Sequence, residues 1–151
     1  MNPKAKILAA AVSGLAAVAG VAGPAQAAGI VMLPAQPNRS KTVITQSRSR
    51  PGQYVVTAKL TAVNWGNFDI VTCRLNTDAR ESGGASGARV VADDFVSVGD
   101  AVDFDGDIEL EAVFDSTRRF RAWVTCSHQN FNSTSIYIEP NTMTIVRTAN
   151  S

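Results

Sequence analysis

The sequence predicts an all-β fold, an antiparallel β-sandwich or jelly roll with one intradomain disulfide, and three observations carry that expectation. Apolar and polar residues alternate at period two through most of the chain after residue 40, the spacing of half-buried strands. Turn-forming residues interrupt the alternation at short intervals, and many short strands punctuated in this way build two packed sheets. Beyond the N-terminal segment no stretch shows the 3.6-residue period of an amphipathic helix.

The chain opens with Lys4 and Lys6, continues apolar and Ala/Gly-rich over 7–22, breaks at Gly23-Pro24 and reaches Ala25-Gln26-Ala27. That order is a charged region, an apolar region and a small-x-small cleavage site, so residues 1–27 read as a helical signal peptide. The apolar run falls short of the ~20 residues a membrane span needs, which favours cleavage over an uncleaved anchor. The expected product is a secreted protein beginning at Ala28, with no later segment apolar enough to cross a bilayer and no membrane attachment after cleavage.

Residues 28–40, carrying Pro34 and Pro37, read as an extended N-terminal arm, and 41–151 as the sandwich domain. Residues 43–45 are β-branched. In 54–63, Val56, Ala58, Leu60 and Ala62 share one face while Thr57, Lys59 and Thr61 share the other. The run 68–75 aligns Val71, Cys73 and Leu75. The run 120–126 aligns Phe120, Ala122, Val124 and Cys126, leaving Arg119, Arg121, Trp123 and Thr125 outside. Strands at 135–138 and 142–146 close the chain, with Pro140-Asn141 expected as the turn between them. Arg50-Pro51-Gly52, residues 64–67, the long segment 81–87, Gly99-Asp100 and Asp105-Gly106 supply the other breaks.

Of the 14 Lys and Arg, two lie in the signal, leaving twelve against thirteen Asp and Glu. A chain so near neutrality lacks the positive surplus that drives nucleic-acid or membrane-surface binding. Cys73 and Cys126, each ending a Val-Thr-Cys triplet, are the only cysteines. In an exported protein an even pair reads as a disulfide, joining either the two sheets or neighbouring strands of one. A redox or metal pair would need closer spacing or more ligands, and the chain has one histidine.

The signal, the Tyr-Val-Val-Thr-Ala-Lys-Leu strand at 54–60, Val-Thr-Cys-Arg-Leu at 71–75, Trp-Val-Thr-Cys at 123–126 and a terminal Ile-Val strand together resemble a group of small secreted actinobacterial β-sandwich proteins of unassigned function. The layout is also similar to the jelly roll of tumour-necrosis-factor and C1q-like heads. The resemblance implies the fold and the disulfide, and it brings no catalytic residue.

Nine of the thirteen acids lie between Asp93 and Asp115, and Asp103, Asp105, Asp107, Glu109 and Glu111 occupy every second position. On a strand they form a column of carboxylates about 7 Å apart. A turn at Asp105-Gly106 would converge Asp103, Asp105 and Asp107 into a calcium site, the one cofactor the residue types suggest. The plainer expectation is a solvated face neutralised by Arg118, Arg119 and Arg121 across a hairpin turning at 115–117. A sharper one pairs the acidic and basic stripes between subunits or with a charged glycan or peptide.

His128 is expected in a surface loop after its strand. Ser127, its neighbour, points to the opposite face and cannot be its nucleophile, and no Gly-x-Ser-x-Gly elbow marks another. The acids are too local in sequence to face each other across a glycosidase cleft. Trp65, in a turn, and Trp123, on an outward register, are candidate binding residues with Arg119 and Arg121; the alternative is an indole folded over a sheet edge or under a loop. Asn132-Ser133-Thr134 matches a glycosylation sequon. The expected function is a non-enzymatic extracellular or cell-surface module that binds a protein or glycan, or self-associates. A calcium-assisted carbohydrate binder, a secreted inhibitor or effector, and a small hydrolase remain as rival readings.

Overall fold

The computed structural model describes residues 29–130 and 135–149; the expected export signal and the sequon lie outside the described residues. Eight strands follow one another without a helix among those residues: β1 (Val31–Met32), β2 (Lys41–Arg48), β3 (Gly52–Asn64), β4 (Asp69–Thr77), β5 (Arg89–Val98), β6 (Asp105–Ser116), β7 (Phe120–His128) and β8 (Ile136–Ala149). They form two four-stranded antiparallel sheets, one ordered β1-β8-β3-β6 and the other β2-β7-β4-β5. Every connection before β8 therefore passes from one sheet to the other, except the β4–β5 hairpin. This is the jelly-roll wiring of two interlocked Greek keys.

The period-two pattern does what it should. Val56, Ala58, Leu60 and Ala62 of β3 are buried against Val71, Cys73 and Leu75 of β4 and Ala122, Val124 and Cys126 of β7. Tyr54 and Phe114 from one sheet meet Phe120 from the other edge-to-face, with ring centroids 4.8 and 5.3 Å apart. Fixing these rings together adds directional contact to the area each buries. Cys73 and Cys126 are bonded and fully buried, directly opposite one another on neighbouring strands of one sheet. The segment expected as an arm supplies β1 and places Leu33 in the core.

Four local expectations are corrected. Pro140-Asn141 is no turn: β8 runs unbroken through it, with an irregularity opposite Lys59 and Leu60. Proline is tolerated at bulges and open edges, and β1 covers β8 only at Tyr137 and Ile138. Asp105-Gly106 is no turn either, because both residues pair with β3. A Cβ at Gly106 would sit 2.3 Å from Val96 Cγ2, so glycine here permits the close approach of β5 to β6. The strand at Arg89–Val98 was not anticipated, its alternation being blurred by a two-residue run of acids at Asp93 and Asp94. Finally, β6 and β7 do not pair as a hairpin: β6 pairs with β3, while β7 lies in the other sheet between β2 and β4.

Candidate functional site

Because the strands alternate direction, the β1–β2, β3–β4, β5–β6 and β7–β8 connections gather at one end of the sandwich. Asn64, fully buried at the end of β3, organises two of them. Its Nδ2 donates to the carbonyls of Asn67 (2.7 Å) and Val98 (3.3 Å), and its Oδ1 accepts from Gly66 N (3.0 Å). Its backbone N–H donates to Phe104 O at 2.8 Å, and Asp100 N donates to Gly66 O at 3.0 Å. Gly99 packs so tightly here, at φ 114°, that a Cβ would lie 2.7 Å from Asn67 O. Two loops are thereby locked together by one amide and one glycine.

What they present is Trp65. Its indole is 67% exposed, stacks on Phe104 (centroids 5.2 Å, planes 29° apart) and donates from Nε1 to Tyr137 Oη at 3.2 Å. One face is braced, the ring's one polar atom is satisfied, and the rest is open. Ile30, Met32, Phe68 and Val102 are also exposed at this end, so that with Trp65 and Phe104 it holds six of the nine exposed large hydrophobics among the described residues. Met32 pairs with Tyr137 across β1 and β8, linking the patch to the indole. Exposed large apolar side chains are thus concentrated at this end of the sandwich among the described residues. Trp65 leans on Phe104 and Tyr137 while two-thirds of its surface stays open.

Beneath the same end lies a feature the sequence reading misplaced. His128 is buried, not in a surface loop, with 1% of its surface exposed. Its Nδ1 faces Asp69 Oδ2 at 2.9 Å and its Nε2 donates to the carbonyl of Pro34 at 2.7 Å. Asp69 Oδ1 meanwhile accepts the backbone N–H groups of Ile70 (2.7 Å), Gln129 (3.0 Å) and Asn130 (3.0 Å). The pair ties β4, β7 and the N-terminal segment into one knot. It also leaves neither ring nitrogen to activate a serine hydroxyl, so the hydrolase reading loses the residue it depended on.

Arg119, Arg121 and Trp123 lie away from Trp65. Arg118, Arg119 and Arg121, with Ser47, Asp78 and Phe120, line an open groove of about 520 Å³ at the opposite end. The Arg121 guanidinium lies 4.7 Å from the Trp123 ring centroid, and Trp123 is half-buried on the outer face of its sheet. The four candidate binding residues therefore lie on two separate surfaces, Trp65 at one end and Arg119, Arg121 and Trp123 toward the other.

The acidic column exists, but on different terms from those expected. Asp105, Asp107, Glu109 and Glu111 all face outward from β6. Lys59 reaches Glu109 (3.1 Å) and Thr61 Oγ1 donates to Asp107 (2.9 Å), both from β3. Among the described residues no arginine pairs with them, because Arg119 and Arg121 went with β7 to the other sheet. Nor do Asp103, Asp105 and Asp107 converge: among the described residues no three Asp, Glu, His or Cys side chains are placed to hold a metal ion. A straight strand keeps its alternate side chains about 7 Å apart, and the turn that would have folded them together is absent.

Burial and the neighbouring Glu109 raise the Glu111 carboxyl above the usual carboxylate range, with Lys59 opposing. Folding thus favours its protonated form, so its contribution to stability improves as pH falls and worsens as pH rises past that range. Glu111→Gln is expected to raise the melting temperature slightly at pH 7 and to lose that advantage below about pH 4, as thermal scans across pH will read. Asp115 behaves oppositely: hydrogen bonds from Ser82, including its backbone N–H at 2.9 Å, hold its carboxyl below the ordinary range.

No family model and no curated protein matches the chain. Solved structures do. A chain of infectious bursal disease virus, Gx strain, is similar with a TM-score of 0.52 at 10% identity, covering 85% of this chain and 33% of the viral one. The C-terminal domain of EclA, described as a sugar-binding protein, aligns at TM-score 0.46 and 15% identity over 82% of this chain and 81% of its own. The globular domain of zebrafish complement 1qA protein aligns at 0.46 and 13% over 83% and 100%. The viral likeness concerns the fold alone, and the two lower scores carry no argument about what this chain binds.

Several residues of the apolar end had no visible role in the sequence. Phe104 stood only as a spacer between acids, Tyr137 as a strand residue, and Asn64 as part of a turn. The signal for Asn64 was its place in an Asn-Trp-Gly-Asn turn; asparagine side chains bond the backbone two residues on, as this one does to Gly66.

Proposed function

We propose that the chain is an exported, non-enzymatic binding module whose ligand surface is the loop end centred on Trp65. The observation that carries this reading is the braced, two-thirds-exposed indole within a cluster of exposed apolar side chains. Trp is the side chain most often found as an energetic anchor, and one fixed in advance loses little conformational freedom on binding. The breadth of the patch, from Ile30 and Met32 through Phe68 to Val102, favours a protein partner, which includes the inhibitor or effector roles. Export through a signal at 1–27, and an origin among small secreted actinobacterial proteins, belong to this reading; the buried disulfide supports an oxidising destination.

A second reading is favoured by a separate observation. The β5–β6 connection that supplies Phe104 to the Trp65 stack also carries the exposed carboxylates of Asp100 and Asp103, with Asp105 opening β6, and an exposed aromatic face on a loop end rich in hydrogen-bond acceptors suits a sugar ring. Two variants separate the readings. Trp65→Ala is expected to weaken binding of either ligand by tenfold or more, an effect of about 1.4 kcal/mol or above. Ile30→Ser with Met32→Ser is expected to abolish capture of a protein partner from culture supernatant while leaving glycan-array signals intact. Unaltered binding by Trp65→Ala would refute both.

A further inference from the structure

The opposite end of the sandwich carries a second, chemically different surface. Arg48, Arg50, Arg80, Arg118, Arg119 and Arg121 all lie at the end of the strands where the β2–β3, β4–β5 and β6–β7 connections meet. Three of them, Arg118, Arg119 and Arg121, line the groove, are exposed, and form no ion pair among the described residues. Asp78 is the one carboxylate lining the groove with these three guanidiniums. Asp78 Oδ1 accepts Arg121 N at 2.6 Å, Asp115 accepts Ser82 N, and Glu81 is paired with Arg89. Clustered guanidiniums repel one another, and the jelly-roll crossover has carried off the acidic strand that would have relieved them.

We propose that this groove binds the anionic groups of an acidic polysaccharide. Arginine's planar fork matches carboxylate and sulfate oxygens two at a time. Arg121 is held in place by its stack on Trp123, so it is presented with part of its freedom already lost. None of the exposed large hydrophobic side chains lines the groove, which leaves a protein partner without an apolar anchor and suits a hydrophilic chain. Overall charge is close to neutral, so no chain-wide positive surplus adds to the groove's attraction for nucleic acid.

The test is isothermal titration of the purified protein at low ionic strength with polygalacturonate, a sulfated dextran, neutral dextran and polyglutamate. Binding to both acidic polysaccharides, none to neutral dextran, and weaker binding to polyglutamate are expected. Arg118→Ala with Arg119→Ala removes two exposed, unpaired side chains, and the double variant is expected to bind about tenfold more weakly or worse with unchanged melting temperature. Arg121→Lys keeps the charge but loses the planar stack, and an intermediate loss is expected. Trp65→Ala, at the far end, should bind like the wild type, which separates this site from the apolar one. Carboxylate and sulfate sources are told apart by the ratio of the two polysaccharide affinities. The proposal is overturned by no binding to either acidic polysaccharide, by undiminished binding in the double arginine variant, or by polyglutamate binding as tightly as the sugars.

Discussion

Asp69→Ala is expected to destabilise the fold by about 3–5 kcal/mol, because it leaves a buried partner uncompensated. Two losses combine. The His128 ring, 1% exposed, is left with Nδ1 facing a void, and the N–H groups of Ile70, Gln129 and Asn130 lose the oxygen they share. Each orphaned buried donor costs its desolvation. Asp69→Asn should cost much less, about 1–2 kcal/mol. Its carbonyl oxygen still accepts the three backbone N–H groups, and its amide can donate to Nδ1 of a neutral imidazole whose Nε2–H remains on Pro34. Urea midpoints of the two variants therefore test the knot as a hydrogen-bonded unit. Equal losses would mean that charge alone mattered, and a small loss in both would mean that the end of the sandwich holds without it. His128→Ala should fall with Asp69→Ala and should also free the Pro34 segment, seen as faster amide exchange at Leu33, whose N–H donates to Ile136 O at 2.9 Å.

Second in size is the disulfide. Replacing Cys73 and Cys126 together by alanine is expected to cost about 4 kcal/mol for the 53-residue separation, in the chain-entropy picture. The melting temperature should fall by roughly 10–15 °C for a domain of this size. A reducing agent should impose the cross-link part of this loss on the wild type and none on the double variant. The sulfurs lie in the core between Leu75, Val71, Val124 and Ala122, so part of the cost is packing, and the alanines leave a small cavity. A change under 1 kcal/mol would mean that the β4–β7 ladder alone holds these strands in register.

Both effects arise at the β4–β7 junction, and they show what kind of information the chain carries openly. The pairing of Cys73 with Cys126 was readable because only two cysteines exist and each lies in the inward register of a strand. The knot was not readable. Asp69 and His128 are 59 residues apart, and a lone histidine after a strand looks alike whether it ends in solvent or against a buried carboxylate. The apolar end shows the same division. Trp65 drew notice as a large aromatic in a turn, while its braces, Phe104 and Tyr137, come from loops and strands with no sequence relation to it.

By itself, then, the sequence determined which residues face inward along β3, β4, β6 and β7, since a side chain's face follows from its parity along a strand. It also determined the all-β class and the disulfide. Only the tertiary structure decided which strands are neighbours. That choice sent the acidic β6 and the arginine-bearing β7 to different sheets, undoing the expected hairpin and leaving two charged surfaces unreconciled. It kept β8 running through Pro140, left Asp103 ahead of β6 with Asp105 and Asp107 on it and the three not gathered as a ligand set among the described residues, and brought Asp69 to His128. Parity is a local property written into every pair of residues. Partnership is settled by long-range closure of the whole chain, and no short window of sequence contains it.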